Sequence, residues 1–284
     1  MIEARPSRTA LRVAMRRAAH QLFDTPKVLD DPIALRIIGP KAAAKLETGG
    51  FGEGNRLAQG LRAFMAARSR YAEDALARSL GRGATQYVVL GAGLDTFAYR
   101  NPYGESTLRV FEVDYPATQE WKRQQLEAAR IAIPPSVNFA PVDFEHQTLA
   151  EGMRLAGLDP TKATFFSWLG VTMYLTEEAA TSTFAFIAST PPGGGVVFDY
   201  AVPRSSLGLL GRVALDAMMW RVAATGEPFR TFFEPAALAE RLRGMGFKSI
   251  EDLGADEINS RYFKDRADKL RIMGQLGRLM SAEL

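Results

Sequence analysis

Hydrophobic residues fall along this chain in two patterns, and the contrast between them predicts most of the elements. Short continuous apolar runs bounded by turn residues suit strands buried on both faces of a parallel sheet. Such runs occur at Tyr87–Leu90, Leu108–Asp114, Val137–Val142, Thr164–Leu169, Gly195–Tyr200 and Phe247–Leu253, and Gly277–Leu284 makes a seventh. Between them lie helical stretches at Leu61–Leu80, Ala117–Arg130 and Pro235–Gly246, the last closed by glycine. Strands alternating with helices in this way predict an α/β protein with helices on both faces of the sheet. Residues 1–80 read as a helical cap on a core spanning 81–284. The acid and proline of Asp30-Asp31-Pro32 open one cap helix, and Thr48–Asn55, with four glycines in eight residues, reads as a flexible loop. An insertion at 202–233, rich in Leu, Met, Trp and Phe, includes Met218-Met219-Trp220, Phe229, Phe232 and Phe233. It reads both as packed core and as the roof of a substrate cavity.

The first two strands enclose the most informative stretch. After Tyr87–Leu90 come Gly91-Ala92-Gly93-Leu94-Asp95-Thr96, a short helix, and a strand closing on Glu112-Val113-Asp114. Glycines at the carboxyl end of a strand let the backbone turn and approach a ligand, although they also serve plain turns. Asp114 shares a strand face with Glu112 and stands about twenty residues beyond Gly91, where nucleotide-binding sheets place an acid for ribose hydroxyls. The dinucleotide fingerprint wants Gly or Ala where this chain has Thr96, and Asp95 would repel a pyrophosphate. A ligand carrying ammonium and sulfonium cations meets no such objection. A nicotinamide dehydrogenase stays as the rival reading.

Composition narrows the chemistry. The chain has 284 residues, 47% hydrophobic and 24% charged, an ordinary balance for a globular protein. No apolar run approaches the ~20 residues of a membrane span, and the arginine-rich N-terminus lacks an apolar signal core, so a cytoplasmic protein is expected. Arg5, Arg8, Arg12, Arg16 and Arg17 form a basic stripe, but a net charge of +3 favours a solvated helix face over a nucleic-acid surface. Zero cysteines exclude disulfides, thiolate metal sites and a cysteine nucleophile. The two histidines, His20 and His146, leave little for a metal cluster and read as a helix or surface residue and an exposed one.

Three sets of residues together resemble the leucine carboxyl methyltransferase family, over nearly the whole chain. They are Ala67-Arg68-Ser69-Arg70-Tyr71, then Val89 to Thr96 through Tyr99-Arg100, then Glu112-Val113-Asp114-Tyr115-Pro116. The resemblance implies a class I methyltransferase, Rossmann-like, with a seven-stranded sheet, an N-terminal helical cap and a helical insertion after strand five. It also implies S-adenosylmethionine (SAM) as cofactor and, from bacterial relatives, methylation of polyketides or other small acids. Gly91, Gly93, Asp95 and Asp114 then belong to the cofactor site. Arg68 is implied to clamp the methionine carboxylate with two parallel hydrogen bonds, with Arg70 as alternative. A surface ion pair with Glu73 or Asp74 is the competing use of these arginines.

Asp143 and Phe144 are implied to meet the adenine, although Asp143 also reads as a turn or N-cap residue. Gly170–Leu175 fits the family pattern, but Leu169 stands where the family commonly has a glutamate that assists the SAM amino group. Tyr71, Tyr174 and Tyr200 are candidates for orienting the acceptor. A carboxylate acceptor, already ionised at neutral pH, needs no general base, which suits a chain so poor in histidine. The expected activity is therefore O-methylation of a small-molecule carboxylate, with no nucleic-acid or membrane partner. A phenolic hydroxyl and a noncatalytic SAM-binding role are the alternatives, and the oligomeric state is not read from the sequence.

Overall fold

A computed structural model of the chain describes residues 7–49, 55–143, 146–209, 211–213, 215, 216, 219 and 228–284. Its seven strands are β1 (Gln86–Leu90), β2 (Arg109–Asp114), β3 (Val137–Pro141), β4 (Thr164–Trp168), β5 (Gly195–Ala201), β6 (Ser249–Leu253) and β7 (Gly277–Glu283). All seven apolar runs form strands, with ends that differ from the expected ones by one or two residues. They make one sheet in the order β3-β2-β1-β4-β5-β7-β6. β7 runs antiparallel to β5 and β6, and the other pairs are parallel. The chain builds outward from β1 to β3 and then returns to the far side of β1. The order thus reverses between β1 and β4, and an α/β sheet opens its ligand crevice beyond the carboxyl ends of such a pair.

Successive side chains on a strand point to opposite faces, and the two faces are packed by different helices. Val88, Leu90, Phe111, Phe166, Trp168, Phe198 and Tyr200 form one core with α6 (Leu149–Leu155), α7 (Glu177–Ala188) and α8 (Pro235–Gly244). Tyr87, Val89, Val110, Phe165 and Val197 form the other, against Ala63, Ala67, Tyr71 and Ala75 of α4 (Arg56–Gly81) and Ile258 of α9 (Ala255–Tyr262). Helix α4 starts at Arg56 rather than Leu61, because the Asn55 side chain accepts from the Leu57 amide 2.8 Å away and caps it. Its small residues at helical spacing let it lie against the sheet, so α4 is a layer of the core, not the last part of a separate cap.

The remaining cap helices are α1 (Arg8–Phe23), α2 (Ala34–Ile37) and α3 (Pro40–Glu47). They enclose a third core whose members include Ala14, Ala18, Ile37 and Leu46, together with Leu94 of the glycine loop and Leu126 of α5 (Pro116–Ala128). Residues 50–54 of the expected flexible loop lie outside the described residues, as do Met218 and Trp220 of the insertion; Met219 is helical. Among the described residues, no helix is long and apolar enough to cross a membrane.

His20, expected on a helix or at the surface, is on α1 but fully buried. Its Nε2 accepts from the amides of Val28 and Leu29 at 3.0 and 3.3 Å, so Nδ1 carries the proton and donates to Asp24 Oδ2 at 2.7 Å. Arg62 of α4 grips the same carboxylate through Nε and Nη2 at 2.8 and 2.7 Å. This cluster joins α1 to α4. Burial pushes the Asp24 carboxyl up, but the hydrogen bonds from His20 and Arg62 and the Arg62 charge outweigh it and hold the carboxyl below its ordinary range. A depressed folded pKa gives stability that is full above the ordinary carboxylate value and is lost as pH falls through the folded one. Asp24→Asn is therefore expected to cost about 3–5 kcal/mol at pH 7, because it strands a buried arginine. In urea unfolding followed from pH 7 down to pH 3, the gap between mutant and wild type should narrow only below about pH 4.

Candidate active site

At the end of β1 the chain turns at Gly91, whose φ is +67°. A Cβ there would stand 2.3 Å from Val171 Cγ2, so any side chain would push the segment after β4 off the loop. Gly93, at φ +43°, faces α1 instead, where its Cβ would lie 3.0 Å from Ala10 Cβ. Both glycines are thus required by close approach from opposite sides. The loop is pinned to β2 by two hydrogen bonds: Ala92 N to Val113 O at 2.9 Å and Gly93 N to Asp114 Oδ2 at 2.5 Å. Asp114 also accepts the Tyr115 amide at 2.7 Å. Asp114 is half-buried at the strand's end, and an ionised carboxylate there suits a partner that donates hydroxyls. Glu112 does not, because its carboxylate is fully buried and accepts from Lys122 Nζ at 2.7 Å and Tyr99 Oη at 2.8 Å.

Asp95 anchors the loop. Its Oδ1 accepts the Phe97 amide at 2.9 Å and its Oδ2 accepts from Arg17 Nη1 at 3.2 Å. Arg17 Nη2 meets the Leu94 carbonyl at 2.5 Å, so one buried guanidinium from α1 holds two successive loop residues. Burial pushes the Asp95 carboxyl up, and the charges of Arg17 and Lys122 with the Phe97 amide bring it below its ordinary range. The next residue, Thr96, donates to Asp31 Oδ2 at 2.6 Å, and Arg100 reaches both Asp31 and Glu73. Arg17 therefore departs from the solvated basic stripe expected of the N-terminus. It lies among the buried residues Ala14, Met15, Ala18 and Ala19, and an arginine inside an apolar stripe is the signal that would have found it.

On the other side of the switch point, Arg68 of α4 donates from Nη1 to Asp199 Oδ2 at 2.6 Å. Asp199, two residues before the end of β5, also accepts the Gly170 amide at 2.5 Å and is 1% exposed. The guanidinium lies on Gly170, whose Cβ would come within 3.0 Å of Arg68 Nη2. Asp199 thus fixes Arg68 at the mouth between β4 and β5, and one carboxylate oxygen takes only one of its N–H groups. Arg70 points elsewhere: about half exposed, it pairs with Asp74 at 2.8 Å on its own helix. The surface ion pair belongs to Arg70, whereas Arg68 is buried against Asp199 and Gly170. Arg16, one turn along α1, is half-buried, and its charge is opposed first by burial and then by Arg12 and Arg68, with Tyr174 acting the other way. A second arginine therefore shares this neighbourhood.

The other expected residues divide. Leu169 is half-buried and packs against the core on the α4 face, so no carboxylate occupies the glutamate position. Asp143 follows β3, pairs with the exposed His146 at 3.0 Å, and accepts the His146 and Gln147 amides on its backbone oxygen, which is a turn geometry. Phe144 lies outside the described residues. Tyr71 and Tyr200 are not brought to the mouth. Both rings are buried in the core, with hydroxyls donating to Glu251 at 2.6 Å and Asp252 at 2.9 Å. Burial and those carboxylates push both phenols well above their ordinary range. Tyr174, half-buried in the 3-10 turn Thr172–Tyr174 after β4, is the tyrosine that stands at the rim.

A seven-stranded sheet of this order is that of a class I methyltransferase, a fold that uses SAM as cofactor. Comparison with known proteins agrees. The chain belongs to the leucine carboxyl methyltransferase family, whose pattern matches residues 10–188. It is 37% identical to YktD of Bacillus subtilis, over 93% of each chain, and 30% identical to a Saccharopolyspora erythraea protein, over 77% of this chain and 75% of that one. Both are named for SAM-dependent methyltransferase activity. Among solved structures it resembles a Thermobifida fusca protein named as a methyltransferase (TM-score 0.57, 17% identity, 99% and 96% of the two chains). A Streptomyces avermitilis DUF574 family protein (TM-score 0.56, 17% identity, 100% of both) shares the same fold.

The role of Arg68 separates a ligand clamp from a purely structural ion pair. Arg68→Lys keeps a charge for Asp199 but loses the planar fork, so SAM affinity should fall while thermal stability without ligand changes little. Methylthioadenosine, which lacks the amino-acid part, should bind mutant and wild type alike in calorimetric titration. Equal losses for the two ligands would assign the carboxylate to another residue.

Proposed function

We propose that the protein transfers a methyl group to the carboxylate of a small molecule, a polyketide-like or other acid, in the cytoplasm. The observation that carries this reading is where the two histidines lie. His20 is buried in the α1–α4 cluster with both ring nitrogens engaged, and His146 is exposed beside Asp143 beyond β3. Neither imidazole stands at the rim after β4. The acceptor that suits such a site is one that arrives already deprotonated.

Asp114, the glycine loop and Arg68 fit the parts of the cofactor that donate hydroxyls, demand close approach and carry a carboxylate. When bound, SAM supplies an electrophilic methyl on a sulfonium; as its carbon–sulfur bond breaks and a carbon–oxygen bond forms, a thioether and a neutral ester result, with no proton to move. Both charges disappear in that step, so a site that aligns the two groups and keeps water out favours it. The rim contributes alignment through Tyr174, and Arg16 and Arg68 draw anions toward it.

Incubation with SAM and a panel of carboxylic and phenolic acceptors tests the proposal by product chemistry. A methyl ester releases methanol in mild alkali, and its rate of formation should be flat from about pH 6 to 9, since the acceptor is ionised throughout. An alkali-stable methyl ether, formed faster as pH rises toward the phenol's pKa, would assign the activity to hydroxyl groups instead.

A further inference from the structure

We propose that Tyr174, Phe229 and Phe232 form the wall on which the acceptor's carbon skeleton lies, and that the acceptor is a hydrophobic, ring-bearing carboxylic acid. This rests on the carboxylate reading above and adds the substrate class. The three rings are half-buried and packed in series, Tyr174 to Phe229 at 5.3 Å and Phe229 to Phe232 at 6.2 Å, both edge to face. Phe232 backs onto the main core, whereas Tyr174 and Phe229 pack on each other above it. Leu207, Leu215 and Phe233 are buried members of the core that Phe232 packs against.

The wall is held in register with the cofactor site by backbone. The turn that carries Tyr174 is tied to β5 through Thr172 Oγ1, which donates to the Asp199 carbonyl at 2.6 Å. On its other side the strap 228–233 is laced to it: Arg230 N reaches Met173 O at 2.7 Å, and Thr231 Oγ1 reaches Leu175 O at 2.5 Å. Phe233 N then returns to Ala201 O at 2.9 Å. Asp199 is thus shared, its side chain setting Arg68 and its carbonyl setting the Tyr174 turn. Gly170, against which Arg68 lies, and Tyr174 stand four residues apart on the same segment after β4.

The chemistry of the wall selects its occupant. Three aromatic edges and faces favour another ring, which they meet in offset or edge-to-face contact. A peptide terminus would set backbone amides against rings that satisfy no hydrogen bond, and a small hydrophilic acid would leave the wall dry and unfilled. An acid on these rings shares the segment after β4 with Arg68, which lies on Gly170.

The test uses the full chain saturated with S-adenosylhomocysteine, titrated calorimetrically with cinnamate, malonate and a tripeptide ending in leucine. Cinnamate should bind and the other two should not. Phe229→Ala should weaken cinnamate about tenfold to a hundredfold, the loss of one buried ring, and Phe229→Leu should weaken it less. Affinity for S-adenosylhomocysteine should stay within about twofold in both variants, which also reports that they are folded. Cinnamate binding that is absent, or unchanged in both variants, would overturn the proposal, as would equal or tighter binding of malonate or the tripeptide. The two readings fail separately. Cinnamate bound through Phe229 but never esterified with SAM leaves the wall standing and removes carboxylate methylation. Esterified malonate, indifferent to Phe229, does the reverse.

Discussion

One guanidinium holds the cofactor loop to the rest of the protein. Arg17 leaves α1, enters the third core, and binds the Leu94 carbonyl and the Asp95 carboxylate together. It acts together with β1 behind the loop, the β2 contacts of Ala92 and Gly93, the Thr96–Asp31 bond and the packing of Leu94 in that core. A buried ion pair is retained at a desolvation cost, and its best-supported use is to fix one arrangement among several. Here that arrangement places Gly93 against Ala10 and its amide on the Asp114 carboxylate. The N-terminal helices are therefore packed on the glycine loop, and the family pattern beginning at residue 10 includes them.

A second ion pair does the matching work across the switch point. Arg68 and Asp199 join α4 to β5, and Asp199 passes the constraint on through Gly170 and Thr172 to the segment after β4. Val171 of that segment closes on Gly91, so the two halves of the crevice touch. The glycine loop, β5 and the segment after β4 are consequently one connected set of contacts.

Much of this was legible in the sequence, and what was not has a common cause. Continuous apolar runs such as Tyr87–Leu90 and Thr164–Leu169 report burial on both faces whatever their neighbours, so the strands were readable. The places of Gly91 and Gly93 in a turn and of Asp114 at a strand end were readable because they depend on local geometry. Arg68 could be placed through the family motif, but its partner is 131 residues away, and Asp199 carries no local mark of that pairing. Arg17 and Asp31 were missed for the same reason, lying 78 and 65 residues from Asp95 and Thr96. Tyr71 and Tyr200 show the converse error. Their neighbours in sequence lie at the site, but helix rotation and strand alternation turn their rings into the core and their hydroxyls toward β6.

The central claim is that α1 holds the glycine loop in its binding shape through Arg17. Calorimetric titration of SAM into the wild type, Arg17→Ala and Arg17→Lys tests it directly. Loss of a buried hydrogen-bonded charge of this kind is worth about 1.5–3 kcal/mol. Arg17→Ala should therefore bind SAM roughly ten- to a hundredfold more weakly, with the far-ultraviolet circular dichroism of the folded protein retained and partial recovery in Arg17→Lys. Equal affinity in Arg17→Ala and wild type would show that the loop keeps its shape without the helix, and would contradict the claim.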